Sequence, residues 1–179
     1  MTTRCLKVSL ALLLASAPAG AADPWTHYTK EDAPGLPGNE VQYIGPAKAG
    51  GIWVGTLEGA AQALNGAFSP VKGEKGSALK LNIWCVLETA DRTWLGHQQG
   101  ALELRDGKQR DTLAGYTVAP ILEIKPGILW ALGKNTGTDT TTLFECRENA
   151  WKPIEAFAKR RLTNVYQTKD GRLWVTVDG

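Results

Sequence analysis

The sequence predicts an all-β fold built from repeated four-stranded antiparallel sheets, about four of them, the last incomplete. Three observations lead there. Trp53, Trp94, Trp130 and Trp174 recur at spacings of 41, 36 and 44 residues, and a self-similar period of that size marks one supersecondary unit copied in series. Each tryptophan sits inside a short strand-like phrase: Gly51-Ile-Trp-Val-Gly-Thr, Arg92-Thr-Trp-Leu-Gly-His, Ile128-Leu-Trp-Ala-Leu-Gly and Arg172-Leu-Trp-Val-Thr-Val. No segment sustains the apolar period of a helix over a useful length.

The elements of each unit follow in order. Upstream of the tryptophans run the apolar segments 41–44, 83–86, 118–121 and 162–165. They are short and bounded by turn residues, so they read as strands. Turns come next, at residues 46–51, 89–92, 125–127 and 169–171; Pro126-Gly127 and Asp170-Gly171 supply the geometry of a tight hairpin. After the tryptophan strand, Gly59 or Gly100 precedes a third strand, at 60–64 and 101–104. There Leu102 and Leu104 alternate with Glu103 and Arg105, as in a strand with one buried face. In the third unit a longer bridge, residues 133–139, precedes a strand at 140–146. Turns at Asn65-Gly66, Asp106-Gly107 and Glu148-Asn149 lead to a fourth, weaker strand starting near Phe68, Gln109 or Trp151. Residues 147–161 are the best helical candidate and read as a short turn of helix around 155–159. Four-stranded sheets repeated at this period are the signature of β-propeller blades. The repeats run roughly over 23–66, 67–107, 108–149 and 150–179.

The first 22 residues do not belong to that core. Arg4 and Lys7 precede the apolar run 8–15, and Ala19-Gly20-Ala21 offers small residues for a peptidase, so residues 1–22 read as a signal peptide cut near Ala21 or Ala22. A membrane anchor is the other reading, but spanning the hydrocarbon takes about 20 apolar residues. Export places the remaining chain, 23–179, in the periplasm or outside the cell. Removing Arg4 and Lys7 lowers Lys plus Arg from 20 to 18, equal to the 18 acidic residues. The net charge is then zero, and Lys159-Arg160-Arg161 is the one dense basic cluster. That gives no nucleic-acid surface. No second apolar stretch is long enough for a membrane span. Cys85 and Cys146 remain after cleavage; they read either as two separate packed thiols or as a bridge that export would permit. No Cys-x-x-Cys occurs and His27 and His97 are far apart, so no metal and no cofactor is expected. Nucleophile-elbow and phosphate-loop motifs are absent as well, and no catalytic residue emerges.

The phrase from Trp25 to Val41, Trp-Thr-His-Tyr-Thr-Lys-Glu-Asp-Ala-Pro-Gly-Leu-Pro-Gly-Asn-Glu-Val, resembles the opening of the two-component regulator propeller repeat. Gly51-Ile-Trp-Val-Gly-Thr-Leu-Glu-Gly and Asp170-Gly-Arg-Leu-Trp-Val resemble its continuation. The resemblance is strong in the first repeat and at 169–175 and degraded in the second and third, where His97 replaces a threonine and Ala131-Leu132 replaces valine-glycine. It implies a β-propeller and a periplasmic sensor input, often joined through a membrane helix to a histidine kinase or a diguanylate cyclase acting in cyclic-di-GMP signalling. Members usually carry many more repeats. The chain is therefore expected to be an N-terminal fragment whose remaining blades close the ring, or else to assemble with a protein partner. Ligands in such families are often carbohydrate breakdown products.

Trp53, Trp94, Trp130 and Trp174 recur in phase and are expected to pack as the structural core between blades. Trp84 is out of phase, in the first strand of its unit, and is a candidate ligand platform if it does not simply cover a neighbouring blade. His97 and Gln98 are candidate polar contacts beside it; a hydrogen-bonded structural histidine is the plainer reading of His97. The function expected is a non-enzymatic sensory, ligand-binding or protein-binding module. The alternatives are a propeller-fold lyase or glycan-active enzyme, or a structural partner in cell-envelope assembly.

Overall fold

The computed structural model describes residues 11–13, 25–73, 76–158 and 160–178. Most of the expected signal segment lies outside them, as does Lys159 of the basic cluster. Within that segment, β1 (Ala11–Leu13) pairs antiparallel with β2 (Trp25–His27).

The chain is all-β. The first sheet joins β3 (Val41–Pro46), β4 (Ile52–Thr56), β5 (Gly59–Leu64) and β6 (Ala67–Pro70). The second joins β7 (Ile83–Glu88), β8 (Thr93–His97), β9 (Gly100–Arg105) and β10 (Lys108–Thr112). The third joins β11 (Tyr116–Lys125), β12 (Ile128–Asn135), β13 (Thr141–Arg147) and β14 (Ala150–Pro153). A fourth, two-stranded sheet holds β15 (Leu162–Gln167) and β16 (Leu173–Val177). Strands follow one another in chain order and every pairing is antiparallel.

Two details differ from the sequence reading and a third is sharpened. The fourth strand belongs with the three strands before it, so the sheets end at Pro70, Thr112 and Pro153, not at the turns that precede those strands. Gly133, Lys134 and Asn135 of the expected bridge are strand residues, because β12 continues along both β11 and β13. The helical candidate shrinks to one 3-10 turn, Glu155–Phe157.

The third-to-fourth-strand turns show why these residues were needed. Asn65-Gly66, Asp106-Gly107 and Glu148-Asn149 all take left-handed φ at both positions, between 49° and 80°. That is the type I′ geometry that matches strand twist. Gly51 also has positive φ, and a Cβ there would run into the Ala63 carbonyl.

Sheets stack face to face through one repeated joint. Trp53 of the first sheet packs with Ile83, Val86, Leu95 and Leu102 of the second. Trp94 of the second packs with Val118, Ile121, Leu129 and Ala131 of the third, its ring edge-on to Trp151 at 5.5 Å. Trp130 of the third packs against Leu162, Val165 and Val175 of the fourth. Burying a tryptophan this way removes on the order of 150–250 Å² of aromatic surface from water. Polar staples accompany the packing: Tyr43 donates to the Val86 carbonyl at 2.9 Å, Thr117 to the Gln98 carbonyl at 3.1 Å, and Gln167 to the Ile124 carbonyl at 3.2 Å. Cys85 and Cys146 are both buried in the joint between second and third sheets, and both are free thiols. Burial pushes Cys85 up to about 12.

Trp174 departs from the core expected of it. It is 59% exposed, because no described element packs on its face of the fourth sheet. The described sheets form a row and do not close on themselves.

Candidate functional site

The strand register carries an irregularity at the same place in the first strand of each of the four sheets that run from β3 to β16. Pairing skips a residue between Val41 and Tyr43, between Ile83 and Cys85, and between Leu162 and Asn164; in the third sheet it skips two, between Val118 and Ile121. The residues left out of the ladder are Gln42, Trp84, Thr163 and the pair Ala119-Pro120. A bulge bends its strand and re-aims the extra side chain, and a proline is tolerated there because it has no N–H to lose. All four first strands are edge strands, and each contacts the next. The bulged residues therefore run along the inner edge of the row, at the end of the sheets where second and third strands connect.

Trp84 is the aromatic member of that row and is 37% exposed. Its neighbour Ile83 pairs with His97 across the ladder, and Gln98 follows in the exposed β8–β9 turn. The register thus brings the three sequence candidates to one end of the second sheet, with Trp84 and Gln98 at the surface and His97 beneath them.

His97 is only 5% exposed. It stands where Thr56 stands in the first sheet, and it performs the same local task. Thr56 Oγ1 accepts the Glu58 N–H at 3.1 Å; His97 Nδ1 accepts the Gln99 N–H at 3.3 Å. A backbone N–H can only donate, so Nδ1 is the bare nitrogen and the ring proton sits on Nε2. Burial lowers the histidine below its ordinary value of 6.5, with Asp111 acting weakly the other way. The ring is therefore neutral at pH 7. Its Nε2–H is buried and has no partner among the described residues, and the same holds for Oδ1 of Asn82, two residues before Trp84. Sequence reasoning missed Asn82, Gln42 and Thr163, since bulges show only once the register is known.

The opposite end of the second sheet is different in kind. Glu103, almost fully buried, accepts from Arg92 at 2.6 Å and from Arg110 at 2.6 Å. Both arginines reach across to Asn149 of the third sheet. Asp91 takes the other side of the Arg92 guanidinium, which holds its carboxyl down to about 2. A cleft of about 240 Å³ lies beside this cluster, lined by Thr89, Arg92, Trp94, Glu123 and Asn149 among others. Its charges are matched within the protein, so the cluster reads as a clip between sheets. Trp94 and Trp130 both face a glutamate across the ladder. Trp130 Nε1 donates to Glu145 at 3.2 Å, whereas Glu103 is taken by the arginines and Trp94 Nε1 has no partner among the described residues.

Among the described residues no group of three His, Cys, Asp or Glu side chains is placed to hold a metal ion. No helix among them is long and apolar enough to cross a membrane.

No protein family and no curated protein matches the chain. Solved structures do. Two of them are of the extracellular domain of BT4673 from B. thetaiotaomicron, assigned in one to a one component system and in the other to a hybrid two component system. The first matches with a TM-score of 0.64 at 20% identity over 86% of this chain, the second with 0.63 at 20% over 84%. The likeness is one of fold. This chain spans about a fifth of those proteins, 22% in each case.

Proposed function

We propose that this chain is an exported β-propeller segment that works as a non-enzymatic sensory module, the periplasmic or extracellular input part of a two-component or cyclic-di-GMP signalling protein. The observation that carries the reading is the fold shared over most of the chain with an extracellular domain assigned to such systems. The joint repeated between sheets supports the blade reading, and further blades or a protein partner complete the ring. Ligand contact is assigned to the bulged end of the second sheet. Trp84 offers a flat apolar face to a ring such as a sugar, and His97 Nε2–H and Gln98 supply polar contacts beside it.

The test is a binding screen of mono- and oligosaccharides by calorimetry on the chain and on Trp84→Ala. A ligand that stacks on this ring binds about tenfold more weakly to the variant, a change of about 1.4 kcal/mol, and far-UV circular dichroism checks that the variant keeps its fold. Unchanged affinity would remove Trp84 from the site. Binding of no sugar at all would leave the module a protein-binding one.

A further inference from the structure

We propose that the cleft between the second and third sheets binds a small protonated amine that also carries a neutral oxygen acceptor, the chemistry shared by amino sugars and amino alcohols. The cleft lies at the end of the sheets opposite Trp84, so the inference is independent of the ligand contact assigned there.

Equivalent positions in the register expose a break in a repeated contact. The last ladder residue before each first turn is Pro46, Glu88, Glu123 or Gln167, paired with Ile52, Thr93, Leu129 and Leu173 respectively. Glu88 of the second sheet reaches back to the turn of the first and accepts the Lys48 N–H at 2.6 Å. Gln167 of the fourth sheet reaches back to the third and donates to the Ile124 carbonyl at 3.2 Å. The third sheet does otherwise. Glu123 accepts the N–H of Gly127 in its own turn at 3.0 Å and makes no bond to the 89–92 turn of the second sheet. The cleft stands at that place, with Glu123 and Gly127 on one side and Thr89, Ala90 and Asp91 on the other. Its volume of about 240 Å³ is many times the roughly 10–15 Å³ that one water needs.

The lining defines what fits. Asp91, Glu123 and Glu148 face one cation, Arg92. The Arg92 guanidinium is already spent on Asp91, Glu103 and Asn149. Glu123 and Glu148 are therefore left for a cationic donor from outside, and an anion is repelled. Trp94 also lines the cleft. It is completely buried, and its Nε1–H has no partner among the described residues. A buried donor is costly until it meets an acceptor, and the surplus of carboxylates makes a neutral oxygen the acceptor that suits it. The equivalent Trp130 N–H is answered by Glu145. The open indole donor and the unmade contact of Glu123 thus fall in the same joint. Leu129 and Pro126 add apolar wall for a short carbon frame.

Calorimetric titration of the purified chain with D-glucosamine and with ethanolamine tests the proposal, with D-glucose and N-acetyl-D-glucosamine as uncharged controls. At least one amine binds one to one, and the controls do not compete with it. Tighter binding of glucosamine identifies an amino-sugar site, and tighter binding of ethanolamine an amino-alcohol site. Glu123→Gln keeps an acceptor for the Gly127 N–H and removes the charge. It weakens the amine about tenfold, the difference between a charge-assisted and a neutral hydrogen bond. Trp84→Ala leaves the affinity unchanged. Far-UV circular dichroism checks the fold of each variant, and Glu148→Gln, in an exposed turn, serves if Glu123→Gln proves disruptive. Failure of both amines to bind overturns the proposal. So does equal affinity for Glu123→Gln and wild type, or N-acetylglucosamine binding as tightly as glucosamine.

Discussion

Position 97 holds histidine where the first sheet holds Thr56, and both side chains accept the N–H two residues on. The exchange keeps the turn and adds a titratable group. The unfolded histidine titrates near 6.5, and burial lowers it in the fold. Between those two values the unfolded chain binds more protons than the folded one, so stability rises with pH there. The contribution is complete above about pH 6.5 and is lost as pH falls through the folded value. Urea unfolding at about pH 7 and about pH 5 reads it. His97→Thr is expected to keep the turn and to lose less stability on acidification than the wild type. An identical pH response in both chains would show that another group carries it.

At the scale of the element, the type I′ turns are the most legible feature and also the place where one repeat departs from the best chemistry. Asn65-Gly66 and Asp106-Gly107 suit left-handed backbone; Glu148, at φ 51°, does not. A non-glycine residue in that region costs about 1–2 kcal/mol, less for asparagine. Glu148→Asn is therefore expected to stabilise the chain by roughly 1 kcal/mol, read as a higher thermal midpoint. Asn149 must stay, because its side chain accepts Arg92. A midpoint unchanged or lowered would mean that Glu148 contributes something the turn geometry does not show. The sequence displayed these turns, the tryptophan period and the start of each first strand, because all three are local patterns. The bulges were not legible, since a one-residue offset exists only between two paired strands. The Arg92–Glu103–Arg110 clip was hidden for a related reason: its members sit in the β7–β8 turn, on β9 and on β10, and meet only once the second sheet is paired. Trp84, His97 and Gln98 could be singled out as departures from the repeat. That they share one end of one sheet, with His97 under the surface, follows from the register. Trp174 carries the same sequence signal as Trp94. Only what packs on each tryptophan separates them, and that is a fact about neighbouring sheets.

For the whole molecule, a row of sheets joined by one kind of contact has stability that is close to a sum of sheet and joint contributions. The ends of the row open more readily than its middle. The joint between the second and third sheets is the middle, and it contains Cys85 and Cys146, both unbridged and buried. A thiol buried and pushed up to about 12 is chemically inert while the joint is shut. These two sulfurs are thus a built-in clock for the parting of the sheets. In the chain from residue 23 onward, the rate at which a thiol reagent modifies the native protein counts openings of that one joint. Trp151 lies across the ladder from Cys146 and edge-on to Trp94. Trp151→Ala is expected to raise the labelling rate while leaving the far-UV signal unchanged; a rate equal to that of the parent would mean that the reagent enters by another route. The same chemistry sets a requirement on the cell. Under the proposed export, a chain with two unpaired thiols would have to form this joint before oxidising surroundings coupled them to each other or to a neighbour.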